Sequence, residues 1–202
     1  TTAELIKAWQ ALVELRILGT IELSGGRGDR LSRLTWGTVY AHPLYIVLRD
    51  KDTSEYAQTR MIPIVRMLRT VLDEHVRDLH VFCRRAEELG LRVTTPTGRH
   101  FADRAPHRVC FYAALIVEHA DGSYVARAPI DRSAVEKVCR EVFERELNVG
   151  RHTLTTMGVK HGYEPALIKV LSGHVRGLAE PFSDGQWLAP DTALRMLAGA
   201  LE

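Results

Sequence analysis

The stretch from Val65 to Leu89 constrains this chain most. Its apolar residues Leu68, Val71, Leu72, Val76, Leu79, Phe82 and Cys83 recur at threes and fours, the spacing that lines one face of an α-helix. The pattern predicts one long amphipathic helix over 65–89 whose stripe must be buried against other elements. Arg66, Arg69, Arg77, Arg84 and Arg85 lie between the apolar positions. They read either as a solvated face or as one wall of a groove for a polyanion.

Other segments supply what that helix packs on. Thr1 and Glu4 are spaced as a capping box for a helix from Thr1 to Leu18, with Leu5, Ala8, Trp9, Leu12, Leu15 and Leu18 on its apolar face and Gly19 as its stop. Residues 35–64 cluster β-branched and aromatic side chains between turn signals, which predicts a small antiparallel sheet of about three strands. Its first turn falls at Asp50 to Thr53. Cys110–Ile116 and Tyr124–Ala128 flank Asp121-Gly122 and read as a second hairpin. Ser133 and Glu136 make a capping box for a helix reaching Leu147, with Val135, Val138, Cys139, Val142 and Phe143 on its core face. Arg151 opens a segment that Gly162 ends, and Glu164-Pro165 start another that Ser172-Gly173 stop just before His174. The expected fold class is α+β, mainly helical with a small antiparallel sheet.

With 202 residues and 46% hydrophobic content, the chain can bury a sizeable core without metal or disulfide staples. Cys83, Cys110 and Cys139 are odd in number and far apart, so neither a disulfide framework nor zinc spacing is visible. Buried, reduced thiols in a cytoplasmic protein are the expectation. No apolar run approaches the roughly 20 residues that span a bilayer, which argues against a membrane partner. The charge, 27 basic against 25 acidic residues for a net +2, announces no polyanion partner by itself; the distribution has to decide. The histidines show no trustworthy ligand spacing, so no metal and no cofactor is expected. The chain begins inside a helix, as a piece of a longer protein would.

Two separated boxes carry a more specific message. Arg151-His152-Thr153 with Thr156 is followed by Leu171-Ser172-Gly173-His174; upstream, Arg27 precedes Leu31, Leu34 and Trp36 in the register R-x-x-x-L-x-x-L-x-W. Between them Lys51 sits in the turn joining the strand-like runs 44–48 and 60–64. In these residues and their order the chain resembles the catalytic domain of the tyrosine recombinases, or phage integrases, over most of its length except roughly 90–130, which reads as an insertion in a single domain spanning 1–202. The DNA-clamping domain that usually precedes this domain in the family has no counterpart in the sequence.

The resemblance implies duplex DNA as substrate and strand transfer by phosphoryl transfer. Arg27 and Arg151 would clamp the phosphate, since two planar guanidinium forks bind its oxygens bidentately and stay charged. Lys51 would protonate the leaving oxygen, and His174 would hydrogen-bond the phosphate. Three departures bear on this. Asn148 stands where the family usually has a histidine and cannot shuttle a proton near neutral pH. Ser183, preceded by Phe182, stands where the family has its nucleophilic tyrosine, nine residues after His174, and no tyrosine follows Tyr163. Arg30 replaces the family's acidic residue, with Asp29 beside it.

Three functional readings remain open at this point. One is a recombinase or integrase domain acting in DNA recombination and DNA integration, assembling as a homo-oligomer through a short apolar helix over Asp191–Leu201. Another is a non-catalytic DNA-binding relative that assists a partner recombinase. The third is a helical protein-interaction module.

Overall fold

The computed structural model describes residues 1–26, 28–41, 43–51, 58–91, 93–94, 111–118, 124–129, 132–144, 148–165 and 168. Helix α1 (Thr2–Ser24) opens with the expected capping box: the Glu4 N–H donates to Thr1 Oγ1, and the Glu4 carboxylate reaches back to the Thr1 amine at 2.7 Å. It does not stop at Gly19. A Cβ at Gly19 would stand 3.4 Å from a Val71 methyl, so this glycine lets a neighbouring helix come close, and that contact offsets its poor helix propensity, about 1 kcal/mol relative to Ala. The stop is Gly25, in the left-handed region with φ 59°. The buried face also differs from expectation. Trp9, Val13, Ile17, Leu18 and Ile21 are buried, whereas Leu15 is 57% exposed, because packing selects the stripe at steps of four from Trp9.

A short turn of helix, α2 (Gly28–Leu31), and a second one, α3 (Trp36–Tyr40), follow. The latter replaces the first of the three expected strands. Thr35 accepts the Thr38 N–H at 3.2 Å as an N-cap, and the cap overrides the β-branched and aromatic composition. The sheet is a single antiparallel hairpin, β1 (Tyr45–Lys51) and β2 (Gln58–Pro63), with Ile46 opposite Ile62 and both buried. Lys51 is therefore not in the turn. It is the last residue of β1 and pairs with Gln58 beyond a register shift, because backbone pairing extends the arms past their apolar runs regardless of side-chain polarity.

Helix α4 (Arg66–Glu88) matches the expected span closely. Leu68, Leu72, His75, Leu79, Phe82, Cys83 and Ala86 form its buried stripe, with Val71 and Val76 at the edges. α1 lies along it, tied by Arg16, whose Nε and Nη2 donate to Asp78 at 2.9 and 2.8 Å while Nη1 pairs with Glu74.

A second sheet holds the expected hairpin, β4 (Ala113–Glu118) antiparallel to β5 (Tyr124–Pro129), and adds an unanticipated two-residue strand, β3 (Val93–Thr94), parallel to β5, in the order β3-β5-β4. Phe111 and Tyr112, just ahead of β4, are completely buried. Helix α5 (Arg132–Phe143) ends before the expected Leu147, at Glu144 with φ 52°. Val135 and Cys139 face the core as expected, but Val142 is 59% exposed. Helix α6 (Val149–Lys160) is closed by His161 and by Gly162 at φ 71°. Beyond it the Ile168 N–H reaches the Glu164 C=O at 3.2 Å, one helical turn. The rest of the helix expected before Ser172 and the expected helix at 191–201 lie outside the described residues.

Candidate functional site

The residues just ahead of the first box and those that open the second meet at one junction: α1 ends in Ser24-Gly25-Gly26, and α6 begins with Asn148 to Arg151. Gly25 needs its positive φ, and a Cβ there would stand 2.9 Å from Leu154 Cδ2 and 3.4 Å from the Gly150 carbonyl oxygen. Gly150 is the tighter of the two. A Cβ on it would overlap the Ile21 carbonyl, 2.7 Å from its carbon, and come within 3.2 Å of Glu22 Cα. The first turn of α6 thus rests directly on the backbone of the last turns of α1, as two neighbouring glycines allow.

The turn at the end of α1 is held from within. Gly26 N–H donates to Ser24 Oγ at 3.0 Å. A Cβ at Gly26 would meet the Leu31 side chain at 2.7 Å, so the leucine of α2 packs over bare backbone. Ser24, Gly25, Gly26 and Gly28 are all buried.

Arg151 lies at this junction and is only 6% exposed. Its carbonyl accepts the Thr155 hydroxyl at 2.9 Å. A guanidinium keeps its charge when buried, so Arg151 is a cation held inside the fold. It also stands in the first turn of a 12-residue helix, where unsatisfied N–H groups and the helix dipole favour anions. Asn148 occupies the N-cap position without a side-chain cap bond. That leaves the first N–H groups of α6 uncapped by it. His152 and Thr156 are exposed on the same helix, and Thr153 is half-buried.

Not every expected site residue falls in this junction. Lys51 is described by its backbone, at the far end of the β1–β2 hairpin. Arg27, His174 and Ser183 lie outside the described residues, although the neighbours of Arg27 on either side, Gly26 and Gly28, belong to the turn just described. The arginines of α4 do not form a one-signed stripe. Arg69 donates to the Pro43 carbonyl at 2.7 Å, Arg85 pairs with Glu88 at 2.6 Å, and Asp73, Glu74, Asp78 and Glu87 interleave with them.

Two buried features escaped the sequence. Glu22 Oε2 is buried without a hydrogen-bond partner among the described residues, beside Gly150. His75 is completely buried among Trp9, Phe111 and Tyr112, with ring centroids 5.5, 4.9 and 4.8 Å away. Its Nε2 lies 2.8 Å from the Phe111 carbonyl oxygen, which can only accept, so Nε2 carries the proton. Burial holds its pKa down at about 4 against the opposing effect of that hydrogen bond. The imidazole is neutral.

Among the described residues no helix is long and apolar enough to cross a membrane, and no group of three or more His, Cys, Asp or Glu side chains is arranged to hold a metal ion. Buried Cys83 has its thiol pushed up to about 12, chiefly by desolvation, so it is not a nucleophile near neutral pH. No family model, no curated protein and no solved structure matches the chain.

Proposed function

We propose that this chain is a tyrosine-recombinase-like domain that binds duplex DNA by holding a backbone phosphate, and that it forms no covalent bond to the strand by itself. The observation that supports this reading is one contact: the Gly25-Gly26 turn that precedes Arg27 in the sequence abuts the first turn of α6, where Arg151 is buried. The boxes are far apart in sequence, and the reading requires their arginines to serve one anion.

Phosphate binding and strand cleavage use different groups. Charged donors around the non-bridging oxygens stabilise a bound phosphate and the charge of its transition state; attack additionally needs a nucleophile whose departure can reseal the strand. In this proposal Arg27 and Arg151 supply the first, with His174 as a further hydrogen-bond partner and Lys51 as proton donor to the leaving oxygen. Asn148 and Ser183 stand where the second would need a histidine and a tyrosine. Cleavage would then come from a partner recombinase on the same DNA, or from a second copy that supplies the missing hydroxyl.

The test is duplex binding as a function of salt. Phosphate contacts release counterions, so affinity should fall steeply between about 50 and 200 mM salt. Arg151→Lys, which keeps the charge and loses the fork, should weaken binding while the chain stays folded. Affinity indifferent to salt, or undiminished affinity in a folded Arg151→Lys chain, would sink the reading.

A further inference from the structure

Phe111 and Tyr112 form a two-residue strap through the core, and each end of the strap is tied to a different element. The Phe111 N–H donates to the Leu34 carbonyl at 2.6 Å, and the Phe111 carbonyl accepts His75 Nε2–H at 2.8 Å. Thr20 Oγ1 gives its proton to the Arg16 carbonyl at 2.9 Å and so accepts from the Tyr112 hydroxyl at 2.5 Å. Leu34 closes the turn after α2, and Thr20 stands one helical turn before Ser24. The strap therefore joins the two segments that flank the Gly25-Gly26 turn.

We propose that His75 is a positioning residue for that turn: by holding the Phe111 carbonyl from α4, it fixes the spacing between the last turns of α1 and the 28–34 segment. Every link is local and directed. Ser24 Oγ holds Gly26 N–H, Leu31 packs on the Gly26 backbone, Leu34 N–H bonds Leu31 C=O at 3.1 Å, and Leu34 C=O holds Phe111. A histidine is a costly occupant of this core position, because its Nδ1 is buried with no partner among the described residues. An aliphatic side chain would fill an apolar stripe without that cost. What the ring adds is a donor at Nε2, and the strap carbonyl is what that donor holds.

The geometry stands without the DNA-binding reading; the consequence for an anion at the turn rests on it. The experiment is amide hydrogen exchange by NMR on the full chain, native against His75→Leu and His75→Gln, where glutamine keeps an N–H donor. In His75→Leu the hydrogen-bonded amides of Gly26, Ser32, Leu34 and Phe111 should exchange at least about tenfold faster while those of α6 are unchanged, and His75→Gln should restore protection. Uniform acceleration across α1, α4 and α6 in both variants, or no change in His75→Leu, would overturn the proposal. Should His75→Leu fail to fold, His75→Phe keeps an aromatic ring and removes the donor; unchanged protection at Gly26 and Ser32 in that variant would overturn it equally. Duplex affinity measured on the native chain separates the two ideas: a native chain that ignores DNA removes the proposed function and leaves the exchange result standing.

Discussion

Gly150 and Ile21 are in backbone contact: a Cβ on the glycine would overlap the carbonyl of the isoleucine. Because the obstacle is helix backbone and not the tip of a flexible side chain, the contact cannot be relieved by a rotamer change. Gly150→Ala should push α6 off α1 and cost about 2–3 kcal/mol, at the upper end of ordinary overpacking. Gly90→Ala is the control. Gly90 has φ 72° and no atom near its Cβ position, so it should lose only about 1 kcal/mol of backbone strain. Urea midpoints for the two variants, compared at equal m-value, decide the matter; equal losses would mean that the α1–α6 contact is not tight.

Much of the fold was legible because burial imposes periodicity. The stripe of α4 and the capping box of α1 read directly, and the β4–β5 hairpin read from its Asp121-Gly122 signal. What escaped was decided by tertiary contact. Gly19 looks like a helix stop, yet in the structure it is a place where α4 comes close; Thr35 looks like the start of a strand, yet it caps a helix. The contact between the end of α1 and the start of α6 was not legible, because it depends on Gly150, and no local pattern distinguishes a glycine that admits another helix from one that merely loosens a chain. His75 was invisible for a related reason: a polar residue inside an apolar stripe has meaning only once its acceptor, contributed by Phe111, is known.

His75 makes stability depend on pH in a definite direction. Its pKa is lowered in the fold, to about 4, from an unfolded value of 6.5, so the unfolded chain binds the proton more readily. The stability due to neutral His75 is fully present above pH 6.5 and is lost as pH falls through the window down to about 4. Over that window the loss is on the order of 3 kcal/mol, from the free energy of a pKa shift. His75→Phe should flatten the dependence in the same window, whatever it does to stability at pH 7. Urea unfolding at pH 7, 5.5 and 4.5 checks it, and equal slopes in native and variant chains would assign the loss to other groups.

Arg16 ties α1 to α4 through two carboxylates. The arginine is 16% exposed and its partners Glu74 and Asp78 are 37% and 24% exposed, so the pairs fall between surface bridges, worth under about 1 kcal/mol, and fully buried ones, whose breaking costs about 3–5 kcal/mol. Arg16→Met keeps most of the aliphatic stem and should lose about 1–2 kcal/mol. Part of that difference should disappear at about 1 M salt, where the screening length falls to roughly 3 Å. Thermal melts of both chains at low and high salt measure it; a gap that does not narrow would point to packing and not charge.

Unmodified, the chain should form no covalent adduct with DNA. Resealing a strand needs a leaving group that is tolerable in its anionic form, and a phenol with a pKa near 10 meets that need where a serine alkoxide does not. The sequence supplies Phe182-Ser183 where the hydroxyl of a tyrosine would be wanted, and no tyrosine follows Tyr163. Adjacent residues send their side chains in different directions, about 100° apart where the backbone is helical, so under the proposed function at most one of the two would meet the bound phosphate. A nicked duplex that traps the intermediate, resolved by denaturing electrophoresis, distinguishes the cases. An adduct from the unmodified chain would refute the proposal of binding without attack. An adduct from only one of Phe182→Tyr and Ser183→Tyr would show that the phosphate clamp is intact and which position faces it; no adduct from either, in chains that still bind duplex DNA, would place the deficit at Asn148, where Asn148→His added to each tyrosine variant should then restore the reaction.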